Sequence, residues 1–183
     1  MALLKTPAAE HGMLAPDFKL KGTDGNTYVY SDIKGSKGTV VAFICNHCPY
    51  VRNVIDRLVD DLSTLQEEGI GAVAIMPNDT EKYPDDSFEN MAVFAKENKF
   101  TFPYLIDDTQ STAKAYGAVC TPDIFGFNAN GILCYRGRVD SAGQNKPGAE
   151  VKRELLRAMR EIAQTGQCPP EQKPSMGCSI KWK

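Results

Sequence analysis

Two cysteines separated by two residues, Cys45-Asn46-His47-Cys48, offer the most specific chemistry in this 183-residue sequence. Sulfurs at that spacing can bond or separate with little backbone movement. They follow the continuous, β-branched run Thr39-Val40-Val41-Ala42-Phe43-Ile44, the pattern of a strand buried on both faces. After them, apolar residues recur at helical spacing: Val51, Val54, Ile55, Leu58, Val59, Leu62 and Leu65. The pair therefore stands where a buried strand gives way to a helix. A helix N-terminus offers free N–H groups and partial positive charge, which favour thiolate over thiol. Thiolate is the attacking species in disulfide exchange. Asn46 and His47 are read as tuning residues, because a protonated or hydrogen-bonding His47 would favour thiolate further and make the pair more oxidising. Pro49 leaves open which sulfur caps the helix. If Pro49 is the first helical residue the cap is Cys48; if the helix starts at Asn46 it is Cys45.

The same C-x-x-C could supply half of a tetrahedral zinc site. A second pair of matching spacing would then be needed, and Cys168 and Cys178 have nine residues between them. No metal is assigned, and no cofactor beyond the redox-active disulfide itself. A copper or zinc carrier using Cys45, Cys48 and His47 stands as an alternative.

The other cysteines read less sharply. Cys120 precedes Thr121-Pro122 and is either a third redox thiol or a loop filler. Cys134, between Leu133 and Tyr135, reads as a small buried hydrophobe. Cys168 and Cys178 could bridge one another, supply a resolving thiol, or belong to a reduced structural tail. His11 reads as a solvated terminal residue, and Arg136 and Arg138 as outward charges on one strand. Asp123 reads as a turn residue or a proton acceptor near the disulfide. The acidic stretch around residues 79–89 reads as a solvated loop, or one rim of a partner groove.

Positioning the pair takes a layered domain. Residues 16–30 alternate on both sides of Asp24-Gly25-Asn26, a hairpin pattern. Further strands are expected at 39–44, 71–76 and 102–107, with helices at Val51–Leu65, Phe88–Asn98 and Thr109–Tyr116. A hairpin around Ala129-Asn130-Gly131 and a last helix over Ala149–Ala163 complete the pattern. Strands alternating with helices imply an α/β fold on a mainly parallel sheet. Residues 1–164 form one domain on this reading. Residues 165–183, holding three of eleven prolines, form an irregular C-terminal tail.

Composition bounds the function. Hydrophobic residues make up 42% and charged residues 24%, which is globular composition. A chain of this length hides roughly 70% of its unfolded surface, so no staple is needed for folding. A net charge of −2 provides no basic field, so nucleic acid is excluded as a partner. No apolar run reaches the ~18 residues of a membrane helix, and none follows a basic start as in a secretory leader. The chain reads as cytoplasmic, where thiols stay reduced, so a disulfide scaffold is the least expected use of six cysteines.

The stretch from Ala15 to Cys48, APDFKLKGTDGNTYVYSDIKGSKGTVVAFICNHC, resembles the opening of the alkyl hydroperoxide reductase/thiol-specific antioxidant (redoxin) branch of thioredoxin-like proteins. YGAVCTPDIFGFNANGILCYRGRVD resembles the segment in which a cis-proline faces the C-x-x-C, and PSMGCSIKWK resembles the ending of a bacterial thioredoxin family subgroup. The resemblance covers nearly the whole chain. It implies a thioredoxin-like fold with an N-terminal hairpin extension, and thiol–disulfide oxidoreductase activity on protein or small-molecule thiols and disulfides. Cys45 would be the nucleophile, Cys48 the resolving cysteine, and Thr121 and Pro122 the holders of an incoming peptide backbone. Thiol peroxidase activity is the alternative. The peroxidatic pattern P-x-x-x-T-x-x-C, aligned on Cys48, meets Val41 and Cys45 where proline and threonine are required. The tryptophan before C-x-x-C in typical thioredoxins is absent too, Ile44 standing there, and Asn46-His47 replaces the usual Gly-Pro.

Overall fold

A computed structural model describes residues 2–183. The chain runs β1 (Leu3–Lys5), β2 (Lys19–Gly22), β3 (Thr27–Val29), α1 (Tyr30–Ile33), β4 (Gly38–Phe43), α2 (Pro49–Arg52), α3 (Ile55–Glu67) and β5 (Ile70–Met76). It continues through α4 (Phe88–Glu97), β6 (Tyr104–Ile106), α5 (Ser111–Tyr116), β7 (Cys120–Thr121), β8 (Asp123–Asn128), β9 (Leu133–Arg136), α6 (Glu154–Thr165) and β10 (Met176–Ser179). Seven strands form one sheet in the order β3-β2-β6-β5-β4-β8-β9. Strands β4, β5 and β6 are parallel, and the outer pairings are antiparallel. The α/β fold is as expected, with a central sheet flanked by helices, but the sheet is mixed: two of its six pairings are parallel where the alternating pattern implied a mainly parallel sheet.

Strand β4 is buried along its whole length because the sheet is covered on both faces. Side chains alternate across a strand. Val40, Ala42 and Ile44 accordingly join the core beneath α3, α4 and α6, with Leu58, Leu62, Met91 and Met159. Val41 and Phe43 face the second core with Val73, Leu105, Tyr116 and Phe127. Cys45 and Cys48, in the loop after β4, belong to the first of these cores.

Four local differences from the sequence pattern have physical causes. The helical run after Pro49 is broken: Val54 N–H bonds the Val51 carbonyl at 3.0 Å, a tightened turn, and the Asn53 carbonyl is taken by Arg57 Nη1 at 2.9 Å. Helix α6 starts at Glu154, five residues later than expected. Residues 149–153 are drawn into a loop by reciprocal bonds between Ser141 and Lys152 and by the Arg153–Asp61 ion pair. Cys134 is not a lone buried hydrophobe: it is disulfide-bonded to Cys168, with Cα atoms 4.4 Å apart. Gln172 fixes that part of the tail to β9, donating to the Cys134 carbonyl at 2.7 Å and accepting from Arg136 N–H at 2.8 Å.

The tail is also less irregular than its composition implies. Strand β10 pairs antiparallel with β7 on one side and β1 on the other, making a second, three-stranded sheet. Its neighbours lie more than fifty residues away in the sequence, at Leu3–Lys5 and Cys120–Thr121, so no local periodicity announces it.

Candidate redox site

The C-x-x-C loop is fixed by a carboxylate that the sequence left in a solvated loop. Asp86, in a 3-10 turn at Pro84–Asp86, is fully buried. It accepts from Asn46 N–H at 2.8 Å, His47 N–H at 3.3 Å, His47 Nδ1 at 2.7 Å and Asn78 Nδ2 at 2.8 Å. Burial opposes its ionisation, but the bonds from His47 and Asn78 prevail and hold the carboxyl below its ordinary value. In return Asp86 raises the affinity of His47 for its proton. The His47 ring stacks on Tyr83, centroids 5.9 Å apart and planes 6° from parallel. Asn46 is bound at every polar group. Its amide donates to the Asp85 carbonyl at 3.1 Å, its Oδ1 accepts from Tyr104 at 2.9 Å, and its carbonyl accepts from Arg52 Nε at 2.8 Å.

The helix begins at Pro49, with Cys48 as its cap. That settles which sulfur meets the helix end. The neighbouring Cys45 thiol is the main influence pulling the Cys48 pKa well down against the cost of burial, with smaller contributions from the Cys178 thiol and from the backbone at Cys178 and Val51. Cys45 moves the other way. Its hydrogen bond to Cys48 keeps its proton in place, and burial and the nearby Asp86 charge add to this. Of the two sulfurs Cys48 is the one shifted toward thiolate and Cys45 the one shifted toward thiol, whereas the resemblance implies Cys45 as the nucleophile. The leading cause on both sides is the contact between the two cysteines, and the Asp86 charge adds to it at Cys45.

Thr121 faces both sulfurs. Its Oγ1 is 3.3 Å from Cys45 Sγ, and its carbonyl accepts from the Cys48 thiol at 3.2 Å when that thiol is protonated. The Thr121–Pro122 peptide bond is cis. Cys45 and Cys48 are 1% and 0% exposed. A groove of about 310 Å³ runs past Pro122, lined also by Val54, Val139, Ser175 and Met176.

The remaining sequence candidates fall into two groups. Cys178 is brought to the site, opposite Thr121 in the β10–β7 register and in the same core cluster as Cys45 and Cys48. Cys120 is next to it in the chain order of β7, but strand alternation turns its side chain from the Thr121 face. Its thiol bonds the Pro122 carbonyl at 3.6 Å and is held protonated by burial. Cys168 is excluded, being tied to Cys134 rather than to Cys178. Asp123 does not face the sulfurs either. It is held by Arg136 at 2.7 Å and 3.1 Å and by Val119 N–H at 3.0 Å. Arg136, expected to point outward, is 7% exposed and lies over the Phe125 ring. Cys45, His47 and Asp86 bring ligand-type atoms within 4.8 Å of one another, yet the Asp86 oxygens are already engaged by four donors.

Strand–cysteine loop–helix, facing a cis X–Pro bond across a mixed sheet, defines a thioredoxin-like protein with a thiol-based redox site. The chain belongs to the AhpC/TSA family, whose model matches residues 11–136, and it is an oxidoreductase. A conserved protein of Geobacillus kaustophilus, solved as an uncharacterized protein, is 43% identical, superposes with a TM-score of 0.93, and is matched over 100% of this chain and 97% of its own. A candidate peroxiredoxin of Mycobacterium tuberculosis is 26% identical over 78% of this chain and 85% of its own. A thiol:disulfide interchange protein of the thioredoxin family from Chlorobium tepidum shares the fold at 20% identity, with a TM-score of 0.63 over 83% of this chain and 97% of its own. No described helix is long and apolar enough to cross a membrane.

Proposed function

We propose that this protein exchanges dithiols for disulfides through Cys45 and Cys48, with Cys48 as the attacking thiolate. One observation carries the reading: two free thiols, Cys45 and Cys48, stand between a buried strand and the helix that Cys48 caps, both against Thr121, and their mutual contact shifts Cys48 toward thiolate and Cys45 toward thiol. Cys48 thiolate attacks a substrate disulfide, forming a mixed disulfide and releasing one substrate thiolate. Cys45 gives up its proton and attacks Cys48 Sγ, which releases the second thiolate and leaves the Cys45–Cys48 disulfide. Two electrons pass to the substrate. Run backwards, the oxidised pair accepts electrons from a substrate dithiol. Substrates are protein or small-molecule thiols and disulfides, held in the groove beside Thr121 and Pro122.

The test is thiolate ultraviolet absorbance against pH in single Cys→Ser variants, together with turnover of bis(2-hydroxyethyl) disulfide. A thiolate that persists into the acid range in C45S, with turnover in the wild type, is expected. An ordinary thiol titrating near pH 8.5 without turnover overturns the reading.

Peroxide reduction is the second reading, favoured by the placement of the thiolate on Cys48, the position on which the peroxidatic pattern aligns. Thiolate attack on a peroxide O–O bond yields a sulfenic acid and the reduced oxygen product. Condensation with Cys45 then expels water and gives the same disulfide. Stopped-flow peroxide consumption no faster than that of free cysteine removes this reading.

A further inference from the structure

The redox pair has a third thiol against it. Strand β10 lies along β7 so that Cys178 stands opposite Thr121, the residue whose hydroxyl meets Cys45 and whose carbonyl meets Cys48. Helix α2, which Cys48 caps, packs directly on β10. The close approach depends on Gly177: a Cβ there would collide with the Thr121 carbonyl oxygen. Residues opposite one another in an antiparallel pair turn their side chains to the same face, so Cys178 shares the face from which Thr121 meets Cys45, and it lies in one buried cluster with Cys45 and Cys48. An extended segment laid along a strand edge is how a sheet receives a peptide. Here the protein's own segment occupies that edge, with a cysteine at the position nearest the reactive sulfur.

We propose that Cys178 is a third redox thiol of this site, able to form a disulfide with Cys48 in place of Cys45. The proposal rests on the dithiol–disulfide reading and extends it. From the oxidised pair, Cys178 gives up its proton and attacks Cys48 Sγ. The Cys48–Cys178 bond forms as the Cys45–Cys48 bond breaks, and Cys45 leaves as thiolate and takes the proton. No net oxidation occurs. From a mixed disulfide on Cys48, the same attack releases the substrate thiolate and passes two electrons to the substrate. Cys48 is thereby flanked by two resolving thiols, one in its own loop and one on the C-terminal strand. The second sits on a strand of the separate three-stranded sheet.

The C45S variant isolates the step. It is treated with bis(2-hydroxyethyl) disulfide, then digested under non-reducing conditions with a glutamate-specific protease, which cuts at Glu171 and so separates Cys168 from Cys178. A Cys48–Cys178 linked peptide is expected, with loss of both thiols. In C45S/C178S, Cys48 should remain as the hydroxyethyl mixed disulfide, with release of hydroxyethyl thiol at least about tenfold slower for want of a neighbouring thiol. Accumulation of that mixed disulfide in C45S with Cys178 still free overturns the proposal. If either serine variant fails to fold by circular dichroism, alanine variants serve. The wild type separates the two readings: a Cys45–Cys48 link with no Cys48–Cys178 link in C45S removes only the third thiol. Absence of both links removes the dithiol reading as well.

Discussion

The tail carries two cysteines with opposite fates, and their surroundings explain the difference. Cys168 closes a disulfide with Cys134 on the edge strand β9. The Leu133 carbonyl lies 3.8 Å from Cys168 Sγ. Cys178 is a free thiol beside two other free thiols and a helix terminus. The sheet register sets the two places well apart. Leu133 pairs with Phe127 and Phe127 with Thr39, at the start of β4, whereas Cys45 lies beyond its end. Six residues of extended chain separate Thr39 from Cys45, about 20 Å. One region joins sulfurs for cohesion; the other keeps them separate and electrostatically unequal.

That contrast can be broken at its extremes first. Cys48→Ser should reduce disulfide turnover to the uncatalysed background while leaving the melting temperature nearly unchanged, as turnover assays and calorimetry would show. Asp86→Ala should cost about 3 to 5 kcal/mol in denaturant unfolding, because four donors lose a buried charged acceptor. It should also lower the Cys45 pKa, since the opposing charge is gone. Replacing Cys134 and Cys168 together should cost about 3 to 4 kcal/mol, the loop-closure value for a separation of 34 residues. Turnover in that variant should stay within about twofold of wild type, since the pair lies outside the site. A large fall in turnover would show that the two regions are coupled.

The smallest effect concerns pH. His47 binds its proton more tightly when folded, so its contribution is complete below the ordinary histidine value and is lost as pH rises through the raised one. Asp86 is held below its ordinary value, so its contribution is present above that value and is lost as pH falls through the lowered one. The pair therefore stabilises most from about pH 4 to 6.5. His47→Gln should lose about 1 kcal/mol in that window, the upper end of what a partly exposed ion pair contributes. The deficit should shrink in alkaline buffer. Equal deficits at pH 5.5 and 9 would count against the ion pair.

The parts of the molecule written in local pattern were legible in the sequence. Val40 to Ile44 announce a strand covered on both faces, and Cys45–Cys48 are placed between it and a helix by periodicity alone. Pro49 narrowed the cap to two arrangements, and packing chose between them. What local pattern does not carry is pairing across distance. Asp86 looked solvated because its neighbours Asp85, Glu81 and Lys82 are polar, yet the turn at Pro84 directs it inward beneath Asn46 and His47. Cys134 and Cys168 gave no sign of partnership, since the loop between them contains a whole helix. Arg136 looked like an outward charge because its strand alternates; its guanidinium is instead buried by its pair with Asp123 and by the Phe125 ring.

The second sheet has a consequence for how the protein is made. Strand β10 (Met176–Ser179) lies between β1 (Leu3–Lys5) and β7 (Cys120–Thr121), and through β7 it is laid against the redox pair. Domains fold as units during synthesis. Cys45 and Cys48 are made well before Gly177 and Cys178, so until β10 has been made the two sulfurs lack the strand that covers them.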